Sequence, residues 1–200
     1  MTRQRERRWA GVDVGGHGKG FDVAMVNRGG LVSRPRRLKS ATAVVDWLRP
    51  KSLELVAVDS PRAPAPQGAR ARQCERDLSR EVCGIRWTPD RAALDLGGAY
   101  YDWVRNGLEL YAALHKAGLV AIEVFPTAAW TRWGGPRDAS RAAWSRRVLA
   151  ELRLEGLPPR LNQDARDAVA AALTARLYDE GNAQCFGPIV VPAEDSRALI

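Results

Sequence analysis

The hydrophobic and polar positions divide the chain into short strands and longer helices. Arg8-Trp-Ala-Gly-Val-Asp-Val-Gly-Gly16 reads as a short apolar strand that carries one carboxylate, Asp13, and breaks at Gly15-Gly16. From Phe21 to Asn27 the pattern alternates, Phe21, Val23 and Met25 against Asp22 and Ala24, as a half-buried strand does. Asn27-Arg-Gly-Gly30 is a tight-turn signal that returns Leu31 to Leu38 as a hairpin partner, and Pro35 places that partner at a sheet edge. Ser40 can cap a helix with the face Val44, Val45, Trp47 and Leu48, which Pro50 stops. The unbroken run Leu55-Val-Ala-Val58, ending at Asp59, fits a central strand buried on both faces. Leu119 to Pro126 is a third acid-bearing strand, with Glu123 near its end, and Ile189 to Pro192 is a short terminal strand. Further helices are expected over 100–117, 139–155 and 162–179, ended by Gly118, Gly156 and Gly181. Residues 61–96 are rich in Pro and Arg and read as an irregular insertion, with a short helix around 73–82.

The order β-β-β-α-β-α-β-α predicts an α/β fold, a mixed five-stranded sheet flanked by helices in a single domain over 1–200. The first, fourth and fifth strands are expected to run parallel. Ligands of such sheets collect beyond the carboxyl ends of the parallel strands. Asp13 and Asp59 lie at or near those ends, on strands expected to be neighbours.

Composition narrows the class. The chain is 46% hydrophobic and 27% charged, ordinary for a globular protein. No run approaches the roughly 18 apolar residues of a membrane span. The basic opening runs straight into the first strand, which predicts no signal peptide and a cytoplasmic protein. Cys74, Cys83 and Cys185 show no C-x-x-C spacing, and His17 and His115 are the sole histidines, which argues against structural zinc and against a Ser-His-Asp set. The net charge of +8 invites a nucleic-acid partner. Yet all basic residues but Lys19, Lys39, Lys51 and Lys116 are Arg, a skew that GC-rich coding also produces. Arg62, Arg72 and Arg76 belong to a denser cluster and are candidates for phosphate contacts, although Glu75, Asp77 and Glu81 within it favour a salt-bridged surface. Lys19, in the loop Gly15-Gly-His-Gly-Lys-Gly20, is a further candidate; that loop precedes a strand and matches no P-loop.

The carboxylates carry the chemistry. An unpaired charge at the end of a buried strand is expensive to desolvate, and a divalent cation is one reason to keep it there. Asp164 and Asp167, three apart at the start of the last helix, lie about 60° apart around its axis and share a face. Helix capping explains the pair when taken alone. Taken with Asp13 and Asp59, metal ligation is the better reading, and Asp167 is preferred over Asp164. Glu123 is either a further acid behind the site or the partner of an Arg. Convergent carboxylates without His or Cys suit Mg²⁺ or Mn²⁺.

These residues together resemble the ribonuclease H-like fold, with an Asp on the first strand, an acid at the end of the fourth, and one or two acids on the last helix. The Asp164-x-x-Asp167 pair is similar to that of the Holliday-junction resolvase branch. More closely, the chain resembles the family called domain of unknown function 429, described as predicted nucleases. The words that carry this are Gly11-Val-Asp-Val-Gly15, Val58-Asp-Ser-Pro61, Arg72-Gln-Cys-Glu75, Ile122-Glu-Val-Phe-Pro126 and Asp164-Ala-Arg-Asp-Ala-Val-Ala-Ala171. The resemblance implies a metal-dependent nuclease acting on DNA or RNA, with Asp13, Asp59 and Asp167 as catalytic metal ligands and Asp164 and Glu123 in support. Position 59 is Asp where many nuclease relatives carry Glu, a shorter arm. Two alternatives remain. One is a binding module for nucleic acid or a protein partner on the same fold. The other borrows from the sugar-kinase and actin branch, which needs two such domains; a homodimer would supply the second.

Overall fold

The structure, a computed structural model, describes residues 6–16 and 18–200. Residues 1–5 of the basic opening, and His17 in the glycine loop, lie outside the described residues. Seven strands form one mixed sheet: β1 Trp9–Val14, β2 Phe21–Val26, β3 Arg36–Leu38, β4 Leu55–Asp59, β5 Ala121–Val124, β6 Ala183–Phe186 and β7 Ile189–Pro192. Their order is β3-β2-β1-β4-β5-β7-β6. β1, β4, β5 and β7 are parallel, and antiparallel pairs close both edges, β2 with β3 on one side and β6 with β7 on the other.

The expected count of five strands is therefore too low. β6, Ala-Gln-Cys-Phe, is only four residues long and mostly half exposed, too short to show an alternation, and only its pairing with β7 across Gly187 makes it a strand. β2 is buried along its whole length rather than on one face, because helices cover both sides of the sheet.

Helices α1 Ala41–Leu48 and α4 Asp102–Lys116 cover one face, and α5 Pro126–Gly134, α6 Arg141–Glu151 and α7 Gln163–Asp179 cover the other. The stretch 61–96 is more regular than expected, with α2 Gln73–Glu81 and α3 Arg91–Leu96 inside it. α5 went unread because Pro126 continues the apolar strand word before it. Pro at the first helical position is nonetheless a normal helix start.

Strand parity assigns each residue to a face. Ala10, Val12 and Val14 of β1 pack with Val56 and Val58 of β4 against α1 and α4. Trp9, Gly11 and Asp13, with Ala57 and Asp59, therefore look toward α7. That helix is buried from Ala165 to Leu177 and is rich in alanine, so it can approach the sheet closely. At Gly11 the approach is backbone against backbone. A Cβ there would stand 2.1 Å from the Ala172 nitrogen and 2.2 Å from the Ala168 carbonyl oxygen. Neither atom can move without shifting the helix. Gly11→Ala is expected to destabilise the protein by roughly 1–3 kcal/mol or more, read as a lower urea midpoint at unchanged slope.

Candidate active site

Register and parity place three carboxylates in one row. Asp13 of β1 pairs with Asp22 on β2 and with Asp59 on β4, so all three stand level on the face toward α7. The first turns of α7 add Asp164 and Asp167 from above. Asn162 caps that helix, its Oδ1 accepting from the Ala165 amide at 2.8 Å, which frees both acids from the capping role. One oxygen each of Asp13, Asp22 and Asp164 lies within 4.8 Å of the others. Asp22 is the residue sequence reasoning passed over. Its signal was available: an antiparallel hairpin sets it directly across from Asp13.

The acids differ in their partners. Asp167 accepts from Trp130 Nε1 at 2.8 Å, from Arg141 at 2.9 Å and from Gln163 Nε2 at 3.0 Å. Asp164 takes Lys19 Nζ on one oxygen and Arg37 on the other, both at 2.8 Å, and Arg37 Nε also bonds Asp22. Among the described residues no hydrogen bond or ion pair ends on Asp13 or Asp59. Burial pushes the Asp13 carboxyl well above the usual range, and the charges of Asp59, Asp167 and Asp164 push it the same way. Burial, followed by the charge of Asp167, pushes Asp59 up to about 8. Asp22 is also raised, chiefly by burial, with Arg37 opposing. Side by side and without a cation, Asp13 and Asp59 favour taking up protons. A hard divalent cation answers the same excess of negative charge, and an all-oxygen donor set fits Mg²⁺ or Mn²⁺.

Asp13, Asp59, Asp164 and Asp167 line a cleft of about 570 Å³. Its rim carries Arg86, from the loop after α2, and Arg137, from the loop after α5. Both are exposed, and neither has a partner among the described residues.

Glu123 does not join the row. Its register partner is Val58, one position short of Asp59, so its side chain leaves the sheet on the opposite face. There both of its oxygens accept from the buried Arg72 guanidinium, and one also accepts from the Arg62 amide at 3.0 Å. Arg72 Nε bonds Glu75 at 2.9 Å, and Glu75 accepts in addition from the Thr88 amide at 3.1 Å. The expectation of Glu123 as a metal ligand is corrected to its other reading, an Arg partner. Arg72 is likewise withdrawn from the phosphate contacts, because it is buried and fully engaged. Lys19 faces Asp164. Arg62 and Arg76 are exposed, stacked over Tyr111 at 5.9 Å and Trp87 at 5.5 Å.

Two outcomes follow from these contacts. Arg72→Met leaves Glu75 and Glu123 buried without their cation and is expected to cost about 3–5 kcal/mol in chemical denaturation, with part recovered on adding Glu123→Gln. The second concerns pH. Because burial raises Asp59 from 3.8 to about 8, the folded state holds that proton more tightly than the unfolded chain. Its stabilisation is complete below pH 4 and lost as pH climbs toward 8. In chelator, Asp59→Asn should melt higher than wild type at pH 8–9, by roughly 2–4 °C per kcal/mol relieved, and the gap should close toward pH 4.

β1 is flanked by antiparallel β2 and parallel β4, and α7 crosses one face of the sheet. This is the ribonuclease H-like arrangement. Among solved structures the chain is similar to Thermus thermophilus RuvC in complex with Holliday junction substrate, at 17% identity and a TM-score of 0.49 over 88% of this chain and 96% of that one. It is similar to a second Thermus thermophilus RuvC structure at 17% identity and 0.49, over 87% and 96%. No curated protein matches the chain. The profile of one family matches residues 11–190, words and acids included, and the chain belongs to that family, described as Protein of unknown function (DUF429).

Proposed function

We propose that this chain is a divalent-metal-dependent nuclease that hydrolyses phosphodiester bonds of DNA or RNA. The observation that carries the reading is the pair Asp13 and Asp59, level on adjacent strands, half-buried, without a cation and opposite Asp167. A packed protein gains no stability from such a pair, and a bound ion gives it a reason to be kept.

Asp13 and Asp59, with Asp167 and Asp164 from the helix, would hold the metal, here Mg²⁺ or Mn²⁺. A bound ion supplies charge stabilisation at a phosphoryl oxygen and lowers the pKa of a water. The chain's own groups do the rest. Trp130, Arg141 and Gln163 fix the Asp167 carboxylate in one orientation. Arg86 and Arg137, on two different loops that line the cleft, would neutralise phosphates of the strand held over the acids. Such contacts grip the backbone and read no sequence.

One observation favours a non-catalytic binding module instead. Lys19 and Arg37 already neutralise Asp164 and Asp22, so part of the acid set is satisfied without a metal. The two readings part on one experiment. Wild type and Asp13→Asn are incubated with labelled single-stranded, duplex and branched DNA and with RNA, in Mn²⁺, Mg²⁺ or EDTA. The nuclease reading expects cleavage that needs the ion and falls at least about 100-fold in Asp13→Asn, ~2.7 kcal/mol of barrier. Intact substrates that bind with steep salt dependence would transfer the site to the binding module.

A further inference from the structure

A second hollow, of about 650 Å³, lies on the outer edge of the sheet between β3 and the end of α1. Arg8, Arg34, Arg36, Arg37 and Lys51 line it, and among the described residues no acidic one does. Arg8 is paired with Glu6 at 2.8 Å and Arg37 with Asp22 and Asp164. Arg34 and Arg36 are exposed and have no partner among the described residues. The Lys51 ammonium sits 5.5 Å over the half-buried ring of Trp47, which forms part of an apolar floor.

Edge strands often carry cations that keep other strands from pairing with them, and this explains Arg36 alone. It does not explain cations converging from three further places: Arg8 before β1, Arg34 in the turn before β3, and Lys51 after α1. Nor does it explain why Arg34 and Arg36 face no carboxylate among the described residues, which leaves their mutual repulsion uncompensated until an anion arrives. The hollow and the cleft share no lining residue, and Arg37 stands between them. Arg37 lines the hollow, yet its guanidinium ends on Asp22 and Asp164 at the acid row.

We propose that this hollow binds the phosphate backbone of a single nucleic-acid strand as it leaves the cleft across β3. Arg34, Arg36 and Lys51 would neutralise phosphates, with Trp47 as the apolar wall beneath Lys51. The inference rests on the nuclease reading for its ligand and adds a second, remote contact region to it.

The test compares Asp13→Asn with the same chain also carrying Arg34→Ala, Arg36→Ala and Lys51→Ala. Dye-labelled single strands of ~30 and ~6 nucleotides, the shorter fitting the cleft alone, are followed by anisotropy across a salt series. For the long strand, removal of three phosphate contacts should lower the slope of log K against log salt by about 2. The short strand should bind both proteins alike. An unchanged slope for the long strand overturns the proposal, and so does equal weakening for both lengths, which would put these cations in the cleft. If Asp13→Asn itself binds neither strand, the nuclease reading fails first, visible before the triple variant is compared. Loss of binding to phosphatidylserine vesicles with strand binding intact would assign the hollow to a membrane surface and also overturn it.

Discussion

The contact on which the rest of the site depends is the seating of α7 on Gly11. Because no Cβ separates them, helix and strand meet at backbone distance, and Ala168, Ala171 and Ala172 are the residues small enough to allow it. This seating fixes how far the first turns of α7 stand from β1. Asp164 and Asp167 reach the acid row because the helix below them cannot sit higher. A larger residue at position 11 would lift the helix, and with it the two acids.

The two faces of the sheet treat charge differently. On the face toward α4, Glu123 is matched by Arg72, and Glu75 shares the same guanidinium, so buried charge is paired and hydrogen-bonded as burial demands. On the face toward α7, Asp13 and Asp59 have no partner among the described residues while their neighbours are given one. The contrast within a single sheet argues that the imbalance is local and specific. The Arg72 network also ties together the chain after β4, the start of α2 and the Thr88 segment, which sets the position of the loop carrying Arg86.

Much of this was legible in the sequence, where it was encoded by periodicity. Unbroken apolar runs marked β1, β4 and β5 as central and parallel, and adjacency then brought Asp13 beside Asp59. What escaped had no periodic signal or depended on register. β6 is a four-residue edge strand defined only by its partner. Glu123 sits one residue out of step with Asp59, and only the pairing Val58 with Glu123 tells which face it takes. Asp22 needed the hairpin register, and Arg72 needed tertiary burial, which an Arg-rich stretch conceals.

The acid row comes entirely from strands and one packed helix, whereas Arg86 and Arg137 ride on loops. Exchanges of these two exposed side chains would remodel what enters the cleft and leave the contacts of the carboxylates in place. Whatever chemistry the acids perform and whatever molecule they perform it on are thus inherited separately. Descendants of this chain could diverge in partner while the floor beneath stays the same.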